Sequence, residues 1–199
     1  MAGFLKARNK LMLFTDGDYV ESNDKRSIVA LKENAARIEL RNTKSIQVID
    51  YKLDKGIIPE KDKADKDFFK CDHIVECLND DDKIVYAVEL KGEDVPHALE
   101  QLTSTVKLLF EPDYRKNCKP FLKVCNNSEI EALKGKMIRL RAVSPKPGSN
   151  MRKDNGKKRS ATHNVKYAKE GELRQACIRY KINFDIDSIV VKTGHSENI

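Results

Sequence analysis

Three residues near the middle of the chain have the types and the spacing for hydrolytic chemistry. Glu89 and Lys91 flank Leu90 at the end of the apolar run Ile84-Val85-Tyr86-Ala87-Val88, and Asp72 opens the preceding run, Asp72–Leu78. Alternate residues of a strand share a face, so Glu89 and Lys91 point one way and Leu90 the other. The turn signal Asn79-Asp80-Asp81-Asp82 folds the two runs into a hairpin, and counting back from its centre pairs Asp72 roughly with Glu89. Two carboxylates and an ammonium then converge. Carboxylates brought together without a partner suit a hard divalent cation, Mg²⁺ or Mn²⁺, which keeps several waters when protein ligands are few. A water acidified by such a cation can attack a phosphodiester, and a lysine beside it orients the water or stabilises the transition state.

The string itself is weak evidence in a Lys-rich chain. Asp50-Tyr51-Lys52 and Asp81-Asp82-Lys83 also read as Asp/Glu-x-Lys. Only Glu89-Leu90-Lys91 ends a buried apolar strand, follows a strand opened by Asp, and leads into a helix. The bland alternative is an exposed ion pair at a strand end.

The elements that must position these residues follow from pattern. The run before Glu89 is apolar at every position, which places it centrally in a covered sheet. Gly92 ends it, and Asp94 with Pro96 opens a helix through Phe110 whose apolar face is Val95, Leu99, Leu102, Val106 and Leu109. Upstream, Ala36–Arg41 and Ile46–Leu53 read as strands joined by a hairpin turn at Asn42–Ser45, with turns at Asp16–Asp18 and Asp54–Gly56 and a helix around Lys25–Glu33. Downstream, Pro120–Cys125 reads as a strand and Glu129–Leu133 as a short helix. Met137–Val143 is a strand carrying Arg139 and Arg141 on one face. Glu170–Arg179 is a helix and Ile182–Val191 a closing strand. The class is α/β, a mixed central sheet flanked by helices. Residues 1–35 form an extension, 36–143 the core, and 144–199 a basic loop with a helix–strand appendage.

Asp72, then Glu89-Leu90-Lys91, then a helix carrying Gln101 and Thr105, resembles the PD-(D/E)XK nuclease superfamily. That superfamily includes many restriction endonucleases, Holliday-junction resolvases and recombination exonucleases. The likeness covers roughly residues 36–125, and Cys71 stands where a proline commonly precedes the first Asp. It implies a restriction-endonuclease-like core with Asp72, Glu89, Lys91 and Gln101 as catalytic residues. Asp72, Glu89 and Leu90 would be the metal ligands, and an upstream acid, Glu39 or Glu33, an additional one. It also implies a metal-dependent endonuclease acting on DNA before RNA, in a restriction, defence, mobile-element or repair system. Cutting both strands would call for a homodimer or a larger complex. The alternative is a catalytically idle nucleic-acid-binding or assembly subunit, against which the retention of all three core residues speaks.

Charge points to the same partner. Between Lys136 and Arg174 stand twelve Lys/Arg against three acids, within a net charge of +7. Ser144–Ser160 interleaves Pro145, Pro147, Gly148 and Gly156 with Arg152, Lys153, Lys157, Lys158 and Arg159, an exposed basic loop suited to phosphates, as are Arg139 and Arg141. The plain alternative is a solvated tail. His73, on the opposite face from Asp72, reads as a structural neighbour, and His97 at the helix start either reaches a phosphate or is simply exposed. Five cysteines without close pairing, Cys71, Cys77, Cys118, Cys125 and Cys177, read as reduced thiols in a cytoplasmic protein rather than a zinc site. No apolar run is long enough to span a membrane, and the first residues lack a secretory signal.

Overall fold

A computed structural model describes residues 12–59, 69–79, 83–91, 94–144, 158–184 and 189–199, with only the backbone described within 158–164. After a short 3₁₀ turn at Gly17–Tyr19 come β1 (Val20–Asp24), β2 (Ile28–Glu33), β3 (Ala36–Arg41) and β4 (Gln47–Lys52). The site hairpin is β5 (His73–Leu78) and β6 (Lys83–Leu90). It leads into helix α1 (Val95–Phe110) and three short helices, α2 (Pro112–Lys116), α3 (Lys119–Val124) and α4 (Asn127–Glu131). Strand β7 (Met137–Ser144), the long helix α5 (Lys158–Arg179), and β8 (Asn183–Phe184), β9 (Val190–Lys192) and β10 (His195–Asn198) complete the order.

Two residue patterns make two sheets. Strands β2 and β3 alternate: Val29, Leu31, Ala36, Ile38 and Leu40 are buried while their neighbours face outwards. They pair antiparallel, β10 joins β3 in parallel, and the result is a three-stranded sheet with one dry face. Strands β4, β5 and β6 are buried on both faces through their middles. They form the centre of a seven-stranded mixed sheet in the order β1-β4-β5-β6-β7-β8, with β9 also on β7. The β4-β5-β6 pairings are antiparallel, and the β6-β7 pairing, bridged by α1, is parallel.

The large sheet is thereby covered twice. Ile74, Val85, Ala87 and Leu140 pack under the helices, against Leu99, Leu102, Val106 and Cys177. Val75, Tyr86, Val88 and Val143 pack under the small sheet, against Val29, Ile38 and Leu40. A mixed sheet flanked by helices is therefore present, and its second cover is a β-sheet.

Several sequence expectations need correction. Residues 28–33 are strand rather than helix, because burial there has period two. Asn42–Ser45 is a crossing between sheets rather than a hairpin. Asn42 is buried, its Nδ2 donates to the carbonyls of Arg26 and Ile46, and its Oδ1 accepts from the Ile46 amide, which fixes the corner. Pro120–Val124 is helical, with Pro120 in the first turn of α3 and Phe121 and Val124 buried three residues apart, and only Cys125 is extended. The strand expected over Ile182–Val191 is two short strands, both parallel to β7, and 185–188 lie outside the described residues. The expected basic loop is overtaken at its end by α5, which begins at Lys158. Arg152, Lys153 and Lys157 lie outside the described residues, as does the turn at Asp80–Asp82. The strands of residues 1–35 and 144–199 belong to both sheets. All five cysteines are free thiols, four of them buried. No described helix is long and apolar enough to cross a membrane.

Candidate active site

Strand register brings the acids together. His73 lies opposite Val88, so one step further Asp72 stands opposite Glu89 at the end of the ladder. The β6-β7 ladder continues one residue past β6, where the Lys91 amide donates to the Val143 carbonyl at 2.9 Å. That keeps the strand extended and places Lys91 on the Glu89 side, with its Nζ 3.8 Å from Glu89 Oε1. Asp72 Oδ2 accepts from the Leu90 amide at 2.6 Å, so the main chain between Glu89 and Lys91 is itself tied to the first acid.

Helix α1 holds the other side. Asp94 caps it by accepting from the His97 amide, and Pro96 fits the first turn. Between one and two turns in, Gln101 Oε1 accepts from Lys91 Nζ at 3.2 Å and Gln101 Nε2 donates to the Lys70 carbonyl at 3.0 Å. Thr105 lies one turn further on. Its Oγ1 accepts from the Cys71 amide at 2.8 Å and donates to the Gln101 carbonyl at 2.9 Å. Helix and strand entry are thus sewn together through both polar groups of the Lys70–Cys71 peptide.

The electrostatics are those of crowded acids. Glu89 is 1% exposed, and its Oε2 is buried without a hydrogen-bond partner. Burial, and next the charge of Asp72, push its carboxyl up to about 9, against the pull of Lys91. Asp72 is raised to about 6, chiefly by burial, with the Leu90 amide opposing and the charge of Glu33 adding to the rise. Of the two upstream acids, Glu33 at the end of β2 lies beside Asp72. Glu39 is instead held on the small sheet by Arg37 at 2.6 Å and Arg41 at 3.8 Å.

The fit to a divalent cation rests on that partnerless oxygen. A buried carboxylate atom with no donor costs free energy that a cation would recover. Among the described residues no three His, Cys, Asp or Glu side chains gather into a full cage. What is offered is two carboxylates with main chain, the sparse set that suits Mg²⁺ with its retained waters.

Comparison with protein-family models, with curated proteins and with solved structures gave no match. The site therefore stands on its own geometry.

Other singled-out residues fall elsewhere. His73 Nδ1 lies 2.9 Å from Asp50 Oδ1. Burial opposes its positive charge, but Asp50 offsets this and leaves the imidazole above its ordinary pKa. Arg141 is buried and bound through Nε and Nη2 to Glu197 of β10, so its guanidinium does not face solvent. Arg139 Nη1 donates to Tyr86 Oη at 2.5 Å and lies 3.6 Å from the same Glu197. No local pattern announces Glu197, because the contact joins residues far apart in the chain.

One ion pair that nothing in the sequence announces borders the site. Lys70 Nζ lies 3.0 Å from Asp54 Oδ1, and the charge of Asp54 reaches Glu89. Asp54 sits in a tight turn where Lys55 has φ of 56° and Gly56 is required, since a Cβ there would lie 2.2 Å from the Lys52 carbonyl oxygen.

Helix α5 also bears on the site. Its Lys169 meets Glu100 of α1 at 3.2 Å, and Tyr180, eleven residues on, donates to Glu111, eleven residues on from Glu100. The two helices are therefore parallel. The amino end of α5, which begins with Lys158 and Arg159, lies at the same end of the helix layer as Asp94 and Lys91.

Proposed function

We propose that the chain is a metal-dependent nuclease of the PD-(D/E)XK type with a restriction-endonuclease-like core, acting on DNA as an endonuclease. The observation that carries the reading is the buried, partnerless Glu89 Oε2 opposite Asp72, with Lys91 held beside it by Gln101. Beside it stands the Asp72 carboxylate, whose charge adds to burial in raising the Glu89 pKa, a crowding of acids that a bound cation would relieve.

Asp72 and Glu89 would hold Mg²⁺ or Mn²⁺, with the main chain at Leu90 and with Glu33 at the rim. The cation would supply charge neutralisation at the phosphate and a water of lowered pKa. The chain's own residues do the positioning. Lys91, restrained by Gln101 and Glu89, presents a fixed positive charge where negative charge grows on a phosphodiester under attack. Thr105 and Gln101 keep the strand entry from shifting, so Asp72 does not drift from Glu89. The Leu90 amide keeps the Asp72 carboxylate turned towards β6. The amino end of α5 brings Lys158 and Arg159 to the same end of the molecule, which suits a polyanion crossing the site.

The test is incubation with plasmid, linear duplex, single-stranded DNA and RNA, in Mg²⁺ or in EDTA. The reading expects cleavage of DNA in Mg²⁺ only, and none by Glu89→Gln. Nucleic-acid binding without cleavage on any of the four would replace it with the idle-subunit reading.

A further inference from the structure

An exposed aromatic ring lies close along the chain to the first acid of the candidate site. Phe69 is 42% exposed, although it lies only three residues before Asp72. Three residues of chain span at most about 11 Å, so the ring's backbone is within a nucleotide's reach of the acids. The ring is not loose. It meets His97 of α1 in an edge contact, with centroids 5.2 Å apart and planes at 88°. His97 Nδ1 lies 3.6 Å from Glu100, which Lys169 of α5 bonds in turn. The chain just after Phe69 is clamped by the same side chains that serve the site, Gln101 on the Lys70 carbonyl and Thr105 on the Cys71 amide.

Single exposed apolar residues are ordinary on protein surfaces. This one differs because it is a braced aromatic pair, continuous with a site whose Gln101 bonds both Lys70 and Lys91. We infer that Phe69, braced in an edge contact by His97, is a stacking platform for an unpaired nucleobase, so that the substrate is nucleic acid with at least one unstacked nucleotide at the cut. The inference rests on the nuclease reading for the word substrate, but the stacking stands independently of cleavage.

The chemistry selects that occupant. In a duplex the phosphates lie outside and the bases face inward, so a phosphate at the deeply set acids leaves paired bases out of reach of a ring beside them. A base on Phe69 must leave its stack, which costs least at single strands, mismatches and branch points. Aromatic stacking accepts any base, so the platform selects structure and not sequence.

The experiment uses the full chain carrying Asp72→Asn, in EDTA, so that binding is read without cleavage. It is titrated into short single-stranded oligonucleotides, each with 2-aminopurine at one position. Stacking quenches the reporter at one or two neighbouring positions. Adding Phe69→Ala should abolish that quenching and weaken binding about tenfold. Phe69→Tyr should restore both, which a packing role for the phenyl ring in the folded protein alone would not require. A melting curve confirms that each variant is folded. Quenching that is unchanged in folded Phe69→Ala protein overturns the inference. In the protein that retains Asp72, Phe69→Ala should lower kcat/KM on single strands several-fold more than on blunt duplex, and an equal loss on both also counts against it. If no substrate is cut at all, the nuclease reading fails while the quenching still decides the platform.

Discussion

The ammonium of Lys91 is held between two acceptors, 3.2 Å from Gln101 Oε1 and 3.8 Å from Glu89 Oε1. The amide of Gln101 is in turn fixed by the Lys70 carbonyl, so the lysine's position is set from the helix as well as from its own strand. Lys91→Ala should lower kcat by about 10²–10³-fold, as loss of one transition-state donor does, with nucleic-acid affinity nearly unchanged. Gln101→Leu, which keeps the charge but frees it, should cost less, about tenfold, and chiefly in kcat. Steady-state kinetics on one DNA substrate compares the two. A Lys91→Ala protein as fast as wild type would remove Lys91 from the chemistry.

The raised acids make stability fall with pH. Glu89 at about 9, Asp72 at about 6 and the fully buried Glu76 at about 7 all bind their protons more tightly folded than unfolded. Stability from these groups is complete below the ordinary carboxylate range and is lost as pH rises through each folded value. In EDTA the melting temperature should therefore decline from about pH 5 to about pH 9. Glu89→Gln should flatten the upper part of that decline and raise metal-free stability at pH 8 by on the order of 1–2 kcal/mol. A wild-type melting temperature that rises over this range contradicts the assignment.

Arg141 tests a distinction between scaffold and surface. Its partner Glu197 is nearly buried, and removing Arg141 takes away its two guanidinium bonds and leaves it Arg139 at 3.6 Å and His195 at 3.2 Å. Arg141→Ala should cost about 3–5 kcal/mol of stability by denaturant unfolding, by loosening β10 from β7. The salt dependence of nucleic-acid binding should not move. A stable variant with a shallower salt slope would make Arg141 a phosphate-binding residue instead.

How far the sequence can be read follows from the range of each interaction. The site hairpin is legible because its signals are local: an all-apolar run, a turn, a breaking glycine and a capped helix within about forty residues. Gln101 on Lys91 is legible for the same reason, since helix α1 follows the strand directly. Glu39 and Glu33 read alike in sequence, and only the folding of β2 and β3 into a separate sheet puts Glu33 beside Asp72. The alternation of Ala36–Arg41 against the double-sided burial of Gln47–Lys52 holds a clue that the two strands part company. Asn42–Ser45 reads like a hairpin turn because turn residues do not say which sheet the chain enters next. Arg139 and Arg141 read like a basic face because Glu197 lies more than fifty residues away. Pro120 reads as part of a strand when only the apolar run around it is weighed, although its place in a first helical turn accounts for it better.

The basic tract predicts a salt signature. Neutralising Arg152, Lys153, Lys157, Lys158 and Arg159 together should weaken binding to any sequence alike. It should also flatten the plot of log K against log salt by about 0.9 for each B-DNA phosphate that the protein no longer neutralises. Fluorescence anisotropy across a salt series measures it. An unchanged slope would mean that these residues only solvate the surface.

The central claim, that Asp72 and Glu89 make a divalent-cation site, is tested most directly by thermal melts of wild type and Asp72→Asn, each in EDTA and in millimolar Mg²⁺ or Mn²⁺. A cation that binds only the folded state stabilises it by about 2.7 kcal/mol at a hundred times its Kd. Wild type should therefore melt several degrees higher with metal. Asp72→Asn should melt at or above wild type in EDTA, because one of two repelling acids is gone, and should respond little to the cation. Equal metal responses in the two proteins, or a mutant less stable than wild type in EDTA, would contradict the claim.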